Sequence, residues 1–395
     1  FVPSPVADRI LRQWIKGADR EELVRWWRNR AGGGYMSAAL DVDHLFRSIL
    51  PPPSTPYRGR KALDVESLSE LWVHLTDECN LRCCHCLFET CQGSGRSLES
   101  GRIESLVEEA YGLGSRLVCF TGGEPFVYPG FTELLRSLLA GHDDLRVAVL
   151  TNGTLIPGRM DALQGLDPDR LHFQVSLDGP EPIHDRLRGR GTFKKTVAAL
   201  RGLVDANIPC SVAMAVNREN AAAMEELMGV AHDLGVRTVH FIWHFVRGMG
   251  EEMERMSMKG LIDDFRHAVD RARSLGVHVD NLEAMRAQVF APAGTRFDLG
   301  NAAWESLAVG PDGAVYPTPA MVDLEAFRAG SIGRGIEKVW RKSPLLERIR
   351  SLSLTQVPEM KTDPWRLILG GGDLDHCCVH KDGRKDVRRL RGDPY

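Results

Sequence analysis

The chain has 395 residues, of which 43% are hydrophobic and 26% are charged, a composition typical of globular proteins. Lys and Arg number 50 and Asp and Glu number 53, so the formal net charge of −3 gives no sign of a nucleic-acid partner. We find no apolar run long enough to cross a bilayer and no signal peptide. We therefore expect a cytoplasmic protein without a membrane span. The length favours two or three domains.

Residues 1–56 predict a small helical domain followed by a stiff linker. The segment ILRQWI, residues 10–15, places apolar side chains on one helix face. Asp19 and Glu22 have the spacing of a capping box, which opens a second helix. The run PPPSTP, residues 51–56, cannot be helical and marks the first domain boundary.

Residues 57–258 alternate short β-rich runs with amphipathic helical patterns. Six such units in series predict an α/β fold with parallel strands and right-handed crossovers, either a half-open barrel or a doubly wound sheet. In both architectures the reactive groups lie at the carboxyl ends of the strands. The predicted strands are residues 71–76, 116–122, 146–152, 171–178, 210–216 and 238–244.

Residues 259–395 predict a third, smaller α+β domain. A helix is expected over 259–275, followed by two short strands around Pro311-Asp312-Gly313, which is a hairpin signal. A polar, glycine-rich tail follows, with GGGD at 370–373. We therefore expect three domains in this chain.

Five of the nine cysteines crowd between residues 79 and 91, directly after the first predicted strand. A disulfide framework is the weakest explanation, because the odd count and the absence of a secretion signal favour a reducing compartment. Structural zinc usually takes paired C-x2-C units, and the sequence has no second unit of that kind. Cys79-x3-Cys83-x2-Cys86 favours three thiolates on a [4Fe–4S] cluster, which leaves one iron open for chemistry.

Two further motifs follow predicted strands. TGGEP, residues 121–125, has two glycines that allow close backbone approach and a carboxylate suited to an ammonium group. SLDGP, residues 176–180, offers hydroxyl and carboxylate groups suited to a ribose, and Arg188 is available for a carboxylate. Each motif alone would be an ordinary turn. Together these groups suit a ligand in which an amino acid is joined to a ribose, as in S-adenosylmethionine (SAM).

The cysteine triad, TGGEP and SLDGP in this order resemble the radical SAM superfamily. HDRLRGRGTF, residues 184–193, resembles its branch with a C-terminal SPASM or twitch extension. The resemblance implies a partial (β/α)6 TIM barrel with SAM chelating the open iron of the cluster. It implies these ligands: Cys79, Cys83 and Cys86 for the cluster; Glu124 and the backbone of Gly122 and Gly123 for the amine; Ser176 and Asp178 for the ribose; Arg188 for the carboxylate; His85 near the adenine.

The resemblance also implies a reaction. One electron, which we expect from an external reductase of the flavodoxin or ferredoxin type, cleaves SAM to methionine and a 5′-deoxyadenosyl radical that abstracts hydrogen from the substrate. Our leading hypothesis is modification of a ribosomally synthesised peptide, by epimerisation or cross-linking. The alternatives are biosynthesis of a small cofactor or tetrapyrrole, and a zinc or electron-transfer protein without catalysis.

The C-terminal region departs from the SPASM pattern. Thr318, Leu369 and Asp373 stand where thiolates of an auxiliary cluster are expected, so we predict no auxiliary cluster of the usual kind. Cys377 and Cys378 remain downstream as candidate hydrogen donors to a product radical. The alternatives for them are structural thiols or a noncanonical cluster.

The N-terminal helices loosely resemble the helical half of peptide-recognition domains fused to many peptide-modifying enzymes. Such a domain binds a leader peptide as an added strand. If Phe1 is a truncated start, the missing part would hold the β-hairpin of that domain. A packing extension is the alternative for these helices.

Overall fold

The computed structural model describes residues 5–31, 38–39, 41–43, 45–46, 67–88, 90, 95–245, 247–252, 258–282, 299–352 and 372–378. The strands within these residues form one ten-stranded sheet in the order β10-β9-β8-β1-β2-β3-β4-β5-β6-β7. They are β1 Glu70–His74, β2 Leu117–Thr121, β3 Arg146–Thr151, β4 Leu171–Ser176, β5 Cys210–Val216, β6 Thr238–Trp243, β7 His278–Val279, β8 Ser306–Val309, β9 Ala314–Tyr316 and β10 Gly330–Ser331.

Helices follow most of the barrel strands and return the chain for the next parallel strand. They are α1 Pro5–Ile15, α2 Arg20–Ala31, α3 Ser100–Gly112, α4 Phe131–Gly141, α5 Met160–Leu163, α6 Glu181–Arg188, α7 Thr192–Asp205, α8 Met224–Asp233, α9 Met258–Leu275, α10 Ile336–Lys342, α11 Pro344–Arg350 and α12 Leu374–Cys378. Within the described part of the chain, none of these helices is long and apolar enough to cross a membrane.

Strands β1 to β6 are parallel neighbours in chain order, which confirms the predicted (β/α)6 half-open barrel. Each of the six overlaps its predicted run. Side chains alternate between the two faces of these strands. On β3, Val147 and Val149 are buried in the main core, whereas on β4 the other face carries Gln174 and Ser176. The barrel interior is therefore partly polar and suited to a ligand.

The predicted hairpin at Pro311-Asp312-Gly313 is confirmed as β8 and β9. Gly313 has a φ of +76°, and the amide of Ala314 donates to Oδ1 of Asp312 at 2.9 Å. Strand β8 also pairs in parallel with β1, so the hairpin extends the barrel sheet. The sheet thus continues beyond residue 258, and the three predicted domain ranges stay a prediction.

The N-terminal helices have a small apolar core of their own. It contains Ile10, Leu23, Val24, Trp27, Ala38, Ala39, Val42 and Leu45. The predicted capping box is confirmed, because the amide of Asp19 donates to Oε2 of Glu22 at 2.9 Å and the amide of Glu22 donates to Oδ1 of Asp19 at 2.8 Å. The predicted linker at 51–56 lies outside the described residues.

Candidate active site

A cavity of about 470 Å³ lies at the carboxyl ends of the barrel strands. The predicted site residues on its wall are Cys79, Cys83, His85, Cys86, Gly122, Gly123, Ser176 and Arg188. The other predicted site residues, which the structure also describes, are not on the wall: Glu124, Asp178, Cys377 and Cys378. Most of the predicted site therefore converges on one cavity.

The loop after β1 brings three thiols to this wall. The amide of Cys86 donates to the carbonyl of Cys83 at 3.2 Å, which closes a tight turn. The amide of Cys84 donates to the carbonyl of Leu187 in α6 at 3.0 Å and ties the loop to that helix. The side chain of Cys84 is exposed and off the cavity wall. Cys91 lies outside the described residues.

Gly122 and Gly123 leave room for the backbone of the cysteine loop. A Cβ on Gly122 would lie 2.4 Å from the carbonyl oxygen of Thr76, and a Cβ on Gly123 would lie 1.9 Å from that of Glu78. The amide of Gly123 donates to the Thr76 carbonyl at 2.7 Å. The sequence predicted that these glycines allow a ligand to approach the backbone closely. In the structure the backbone of the cysteine loop makes that close approach, and both glycines also line the cavity.

Glu124 is buried between the ends of β2 and β3. Its Oε1 accepts from the hydroxyl of Thr151 at 2.6 Å and from the amide of Phe126 at 3.1 Å, and its Oε2 accepts from the amide of Asn152 at 2.8 Å. Burial raises the pKa of Glu124, and these hydrogen bonds oppose that rise. The carboxylate therefore joins two strand ends, and its predicted role as an amine ligand stays a prediction.

Asp178 is fully buried and holds two residues of the predicted site. Its Oδ2 lies 2.5 Å from Nε of Arg188 and 3.2 Å from Nε2 of His85, and its Oδ1 accepts from the amide of Ala215 at 3.0 Å. Burial alone would raise the pKa of Asp178, but Arg188 and His85 hold it well below its usual range. Asp178 thus contacts Arg188 and His85, and its predicted contact with the ribose stays a prediction.

Asn80 and Asn152 lie outside the predicted set, yet they connect the cysteine loop to β3. The Nδ2 of Asn152 donates to Oδ1 of Asn80 at 2.9 Å, and the Nδ2 of Asn80 donates to the hydroxyl of Thr154 at 2.9 Å. Asn152 also lines the cavity. Its position directly after β3, like that of TGGEP after β2, is the sequence signal that could have found it.

The three cysteine thiols on the cavity wall suit a metal cluster. Burial raises the pKa of Cys79 to about 12 and that of Cys83 to about 11, and cationic iron favours the thiolate form. Among the described residues, no three His, Cys, Asp or Glu side chains gather closely enough to hold a single metal ion. A cubane binds each thiolate at a different iron, so its ligands need not meet at one point. Cys79, Cys83 and Cys86 therefore fit a [4Fe–4S] cluster.

The C-terminal segment closes one side of the cavity. Asp373 and Asp375 are on the wall, and the hydroxyl of Thr318 makes a hydrogen bond to Oδ1 of Asp375. The ring of His376 stacks on Phe245 with 4.0 Å between centroids and 11° between planes. The segment is therefore anchored to the hairpin and to the end of β6. Leu369 lies outside the described residues, and the prediction about the auxiliary cluster stays a prediction.

Cys377 and Cys378 lie in α12 and are fully buried in the main core. Neither thiol is on the cavity wall. In this arrangement neither thiol borders the space that a ligand in the cavity would occupy. Their predicted role as hydrogen donors therefore stays a prediction.

Residues 73–231 match the sequence profile of the radical SAM superfamily. The match begins in β1 and includes the cysteine triad, TGGEP, SLDGP and Arg188. Residues 73–231 form a radical SAM domain. The superfamily consists of enzymes that use SAM, and the radical SAM domain implies a [4Fe–4S] cluster and SAM as cofactors.

Two curated relatives extend the similarity beyond this radical SAM domain. The antilisterial bacteriocin subtilosin biosynthesis protein AlbA of Bacillus subtilis is 28% identical over 325 residues, which cover 79% of this chain and 69% of AlbA. The mycofactocin maturase MftC of Mycolicibacterium smegmatis is 27% identical over 320 residues, which cover 77% of each chain. Both matches are too long to be confined to the radical SAM domain, so they include flanking sequence.

Solved structures share the fold of this chain, both in the radical SAM domain and in segments that flank it. Polyhistidine-tagged anSMEcpe with bound AdoMet superposes with a TM-score of 0.69 at 21% identity, over 83% of this chain and 90% of that chain. Streptococcus suis SuiB bound to the precursor peptide SuiA superposes with a TM-score of 0.67 at 14% identity, over 94% of this chain and 88% of SuiB. At these identities the similarity concerns the fold alone.

Proposed function

We propose that this radical SAM enzyme modifies a ribosomally synthesised peptide, with epimerisation or cross-linking as the outcome. SAM and a [4Fe–4S] cluster, when bound, supply a 5′-deoxyadenosyl radical that removes hydrogen from the substrate. The observation that carries the proposal is the convergence of three loop cysteines, the backbone of 122–123 and Arg188 on a single cavity. This set of groups matches a metal cluster beside an amino-acid ligand.

The chain's own residues would bind and orient these cofactors. The three loop cysteines would hold the cluster, and Arg188 would bind the methionyl carboxylate in an orientation that Asp178 fixes through the 2.5 Å contact. Ser176 would contact the ribose and His85 would lie near the adenine, since both line the cavity. Glu124 would bind the methionyl amine from the position where its carboxylate joins the ends of β2 and β3.

Three relatives support a peptide substrate. SuiB has been solved with a precursor peptide, AlbA serves the biosynthesis of a bacteriocin, and MftC is a maturase. The matches to AlbA and MftC cover 79% and 77% of this chain, so the regions outside the radical SAM domain take part in the similarity. The C-terminal part of those regions borders the cavity, because Pro319, Ala320, Asp373 and Asp375 are on its wall.

We further propose that α1 and α2 help to bind the leader part of that peptide. These helices have their own apolar core and a capping box that fixes the start of α2. The side chain of Trp14 is 41% exposed and its ring packs edge-on against Phe46 at 5.2 Å. An exposed aromatic residue on a small folded unit is suited to peptide contact.

The test is an oxygen-free incubation of reconstituted protein with SAM, a chemical reductant and synthetic peptides encoded by short reading frames beside the gene. Formation of 5′-deoxyadenosine and the mass and stereochemistry of each peptide are measured together. We expect one peptide to raise 5′-deoxyadenosine formation and to lose two hydrogen atoms on cross-linking or to keep its mass on epimerisation. Replacing the chemical reductant by flavodoxin or ferredoxin with its reductase tests the expected electron donor.

Cys83→Ala serves as the inactive control, because it removes one proposed cluster ligand from the cavity wall. Zinc without iron in protein purified without oxygen would refute the proposed cluster ligands and, with them, the proposed reaction. Cleavage of SAM that responds to a tetrapyrrole or another small molecule, and to none of the peptides, would refute the peptide substrate alone.

A further inference from the structure

His240 is an inward-facing residue in the middle of β6. Its neighbours Val239 and Phe241 are 0% and 1% exposed on the other face of the strand. Because side chains alternate along a strand, His240 must face the barrel interior, and it does line the cavity. It lies within a strand, whereas the cysteines and Arg188 lie in segments that follow strands. His240 is therefore deeper in the barrel than the proposed cofactor ligands.

Asp280 lies directly behind His240. Its Oδ1 is 2.7 Å from Nδ1 of the imidazole. Two reciprocal bonds fix this segment to β6, because the amide of Phe241 donates to Oδ1 of Asn281 and the Nδ2 of Asn281 donates to the carbonyl of Phe241, each at 2.8 Å. The pairing of Val239 with Val279 fixes the register of β7 beside β6. The position of the carboxylate relative to the imidazole is thus set by backbone contacts.

The contact with Asp280 determines which nitrogen of the His240 imidazole can accept a proton. A carboxylate accepts a hydrogen bond, so it keeps the proton of neutral His240 on Nδ1 and leaves the lone pair on Nε2. Within the described part of the chain, Nε2 of His240 has no hydrogen-bond partner, and the side chain is 33% exposed. An oriented imidazole with a negative charge behind it is the arrangement of a general base.

We propose that His240, oriented by Asp280, is the general base that accepts a proton from a thiol or hydroxyl group of the peptide substrate. This inference rests on the proposed peptide substrate. The step breaks one S–H or O–H bond, forms one N–H bond at Nε2 and leaves the anion on the peptide. It transfers one proton and no electron, so it needs no oxidant or reductant. Asp280 stabilises the imidazolium that results.

Among the described residues, the surroundings of the pair include one further titratable group on a neighbouring strand. Ala213, which pairs with His240 across β5, is uncharged, and His172 on β4 is the further titratable group that Asp280 influences. Burial lowers the pKa of His172, whose Nε2 lies 2.9 Å from the hydroxyl of Ser211. Within the described ranges, the titratable side chains elsewhere on the cavity wall, besides the loop cysteines, are His74, His85, Arg188, His244, Asp373 and Asp375.

The test compares His240→Gln and Asp280→Asn with the unchanged holoenzyme, using the synthetic peptide encoded beside the gene. General bases typically contribute a factor of 10² to 10⁴, so we expect His240→Gln to lower peptide product formation by on the order of 10²-fold. Asp280→Asn should move the acidic limb of the pH profile to lower pH by on the order of one unit, because the neutral amide no longer stabilises the imidazolium. A purely structural defect would lower the rate without moving that limb.

The matched control is a second His–Asp pair, His232 and Asp233, whose Nδ1 and Oδ1 are 3.1 Å apart on the exposed surface of α8. His232→Gln should leave product formation and its pH profile unchanged. Product formation by His240→Gln within threefold of the unchanged enzyme would overturn the proposal. So would a pH profile that Asp280→Asn does not move.

A second measurement needs no peptide. Deuterium exchange at the imidazole Cε1, followed residue by residue with mass spectrometry, reports how the surroundings of each histidine act on its ring in the holoenzyme. Asp280→Asn should change the exchange rate at His240, whose Nδ1 it contacts at 2.7 Å, and leave the rate at His232 unchanged. If no peptide is modified, the proposed function fails, and this measurement still decides whether Asp280 supports the base. An unchanged exchange rate at His240 would rule the inference out.

Discussion

The Nε of Arg188 lies 2.5 Å from Oδ2 of Asp178, and both side chains are buried beside the cavity. The same Oδ2 lies 3.2 Å from Nε2 of His85 in the cysteine loop. One buried carboxylate thus links the last residue of α6, which faces the cavity, to the loop that carries the thiols. Charge pairs of this kind are costly to break singly, because the partner is left buried and uncompensated.

Asp178→Asn should therefore weaken SAM binding strongly. The guanidinium of Arg188 loses its counter-charge and its fixed orientation, and we expect the Kd for SAM to rise on the order of 10²-fold. Equilibrium dialysis with labelled SAM measures this on reconstituted protein of verified iron content. Glu219→Gln is the control, since its contact with Arg186 at 2.9 Å is solvent-exposed and should contribute less than about 1 kcal/mol. Equal effects of the two substitutions would contradict the assignment.

Single replacements of the loop cysteines should separate ligands from bystanders. Alanine at Cys79, Cys83 or Cys86 removes a thiol from the cavity wall, and iron should fall far below about four per chain. Cys84→Ala should retain the full iron content, because that thiol is exposed and lies off the cavity wall. Iron and sulfide analysis after oxygen-free reconstitution measures the cluster content of each variant. Loss of iron in Cys84→Ala would mean that the loop binds the cluster in another arrangement.

Gly123→Ala tests the contact between the cysteine loop and the end of β2. The new methyl group would lie 1.9 Å from the carbonyl oxygen of Glu78, so the loop backbone must shift. We expect loss of the cluster and a fall of about 3 kcal/mol in the free energy of unfolding. Gly101→Ala in α3 is the control, since no described residue lies within 4 Å of its added methyl group and helix propensity favours alanine. Iron content and urea denaturation distinguish the two variants.

The sequence was sufficient to predict the barrel and the meeting of several motifs at one cavity. Runs such as RVAVLT are short and almost continuously apolar, which predicts a buried strand like β3, and six of them in series predict the parallel order. Carboxyl ends of parallel strands meet at one edge, so motifs that are far apart in sequence could be assigned to one cavity. That is why the cysteine triad, Ser176 and Arg188 were expected together and lie together.

The remaining features depend on contacts that local sequence does not encode. The direction of the Glu124 carboxylate is set by Thr151 and Asn152, which belong to another strand and its end. The addition of β8 to the edge of β1 joins segments that are far apart along the chain. The pair of His240 and Asp280 spans 40 residues, and neither residue belongs to a recognisable motif. Pairings of this kind follow from tertiary packing rather than from propensity or period.

His74 predicts a pH dependence of stability. Burial, with a smaller contribution from Arg247, lowers the pKa of His74 from 6.5 to about 3. The unfolded chain therefore binds this proton more readily, so stability is greatest above pH 6.5 and is lost as the pH falls. Between pH 6.5 and 5 the loss should be about 2 kcal/mol, at about 1.36 kcal/mol per pH unit. His74→Gln should remove that part of the loss in urea denaturation at the two pH values, whereas His232→Gln at the surface should not.

Glu124→Gln distinguishes a structural carboxylate from a direct ligand for the amine of SAM. An amide offers one acceptor oxygen in place of two, so at least one of the donors from Thr151, Asn152 and Phe126 is left unpaired in a buried site. We expect the free energy of unfolding to fall by about 2 kcal/mol. Glu104→Gln, which alters an exposed contact with Ser137 at 2.6 Å, should cost less than about 1 kcal/mol. If Glu124 also binds the amine, the Kd for SAM should rise at least tenfold in the folded, iron-loaded variant. An unchanged Kd together with the loss of stability would assign the carboxylate to the strand ends alone.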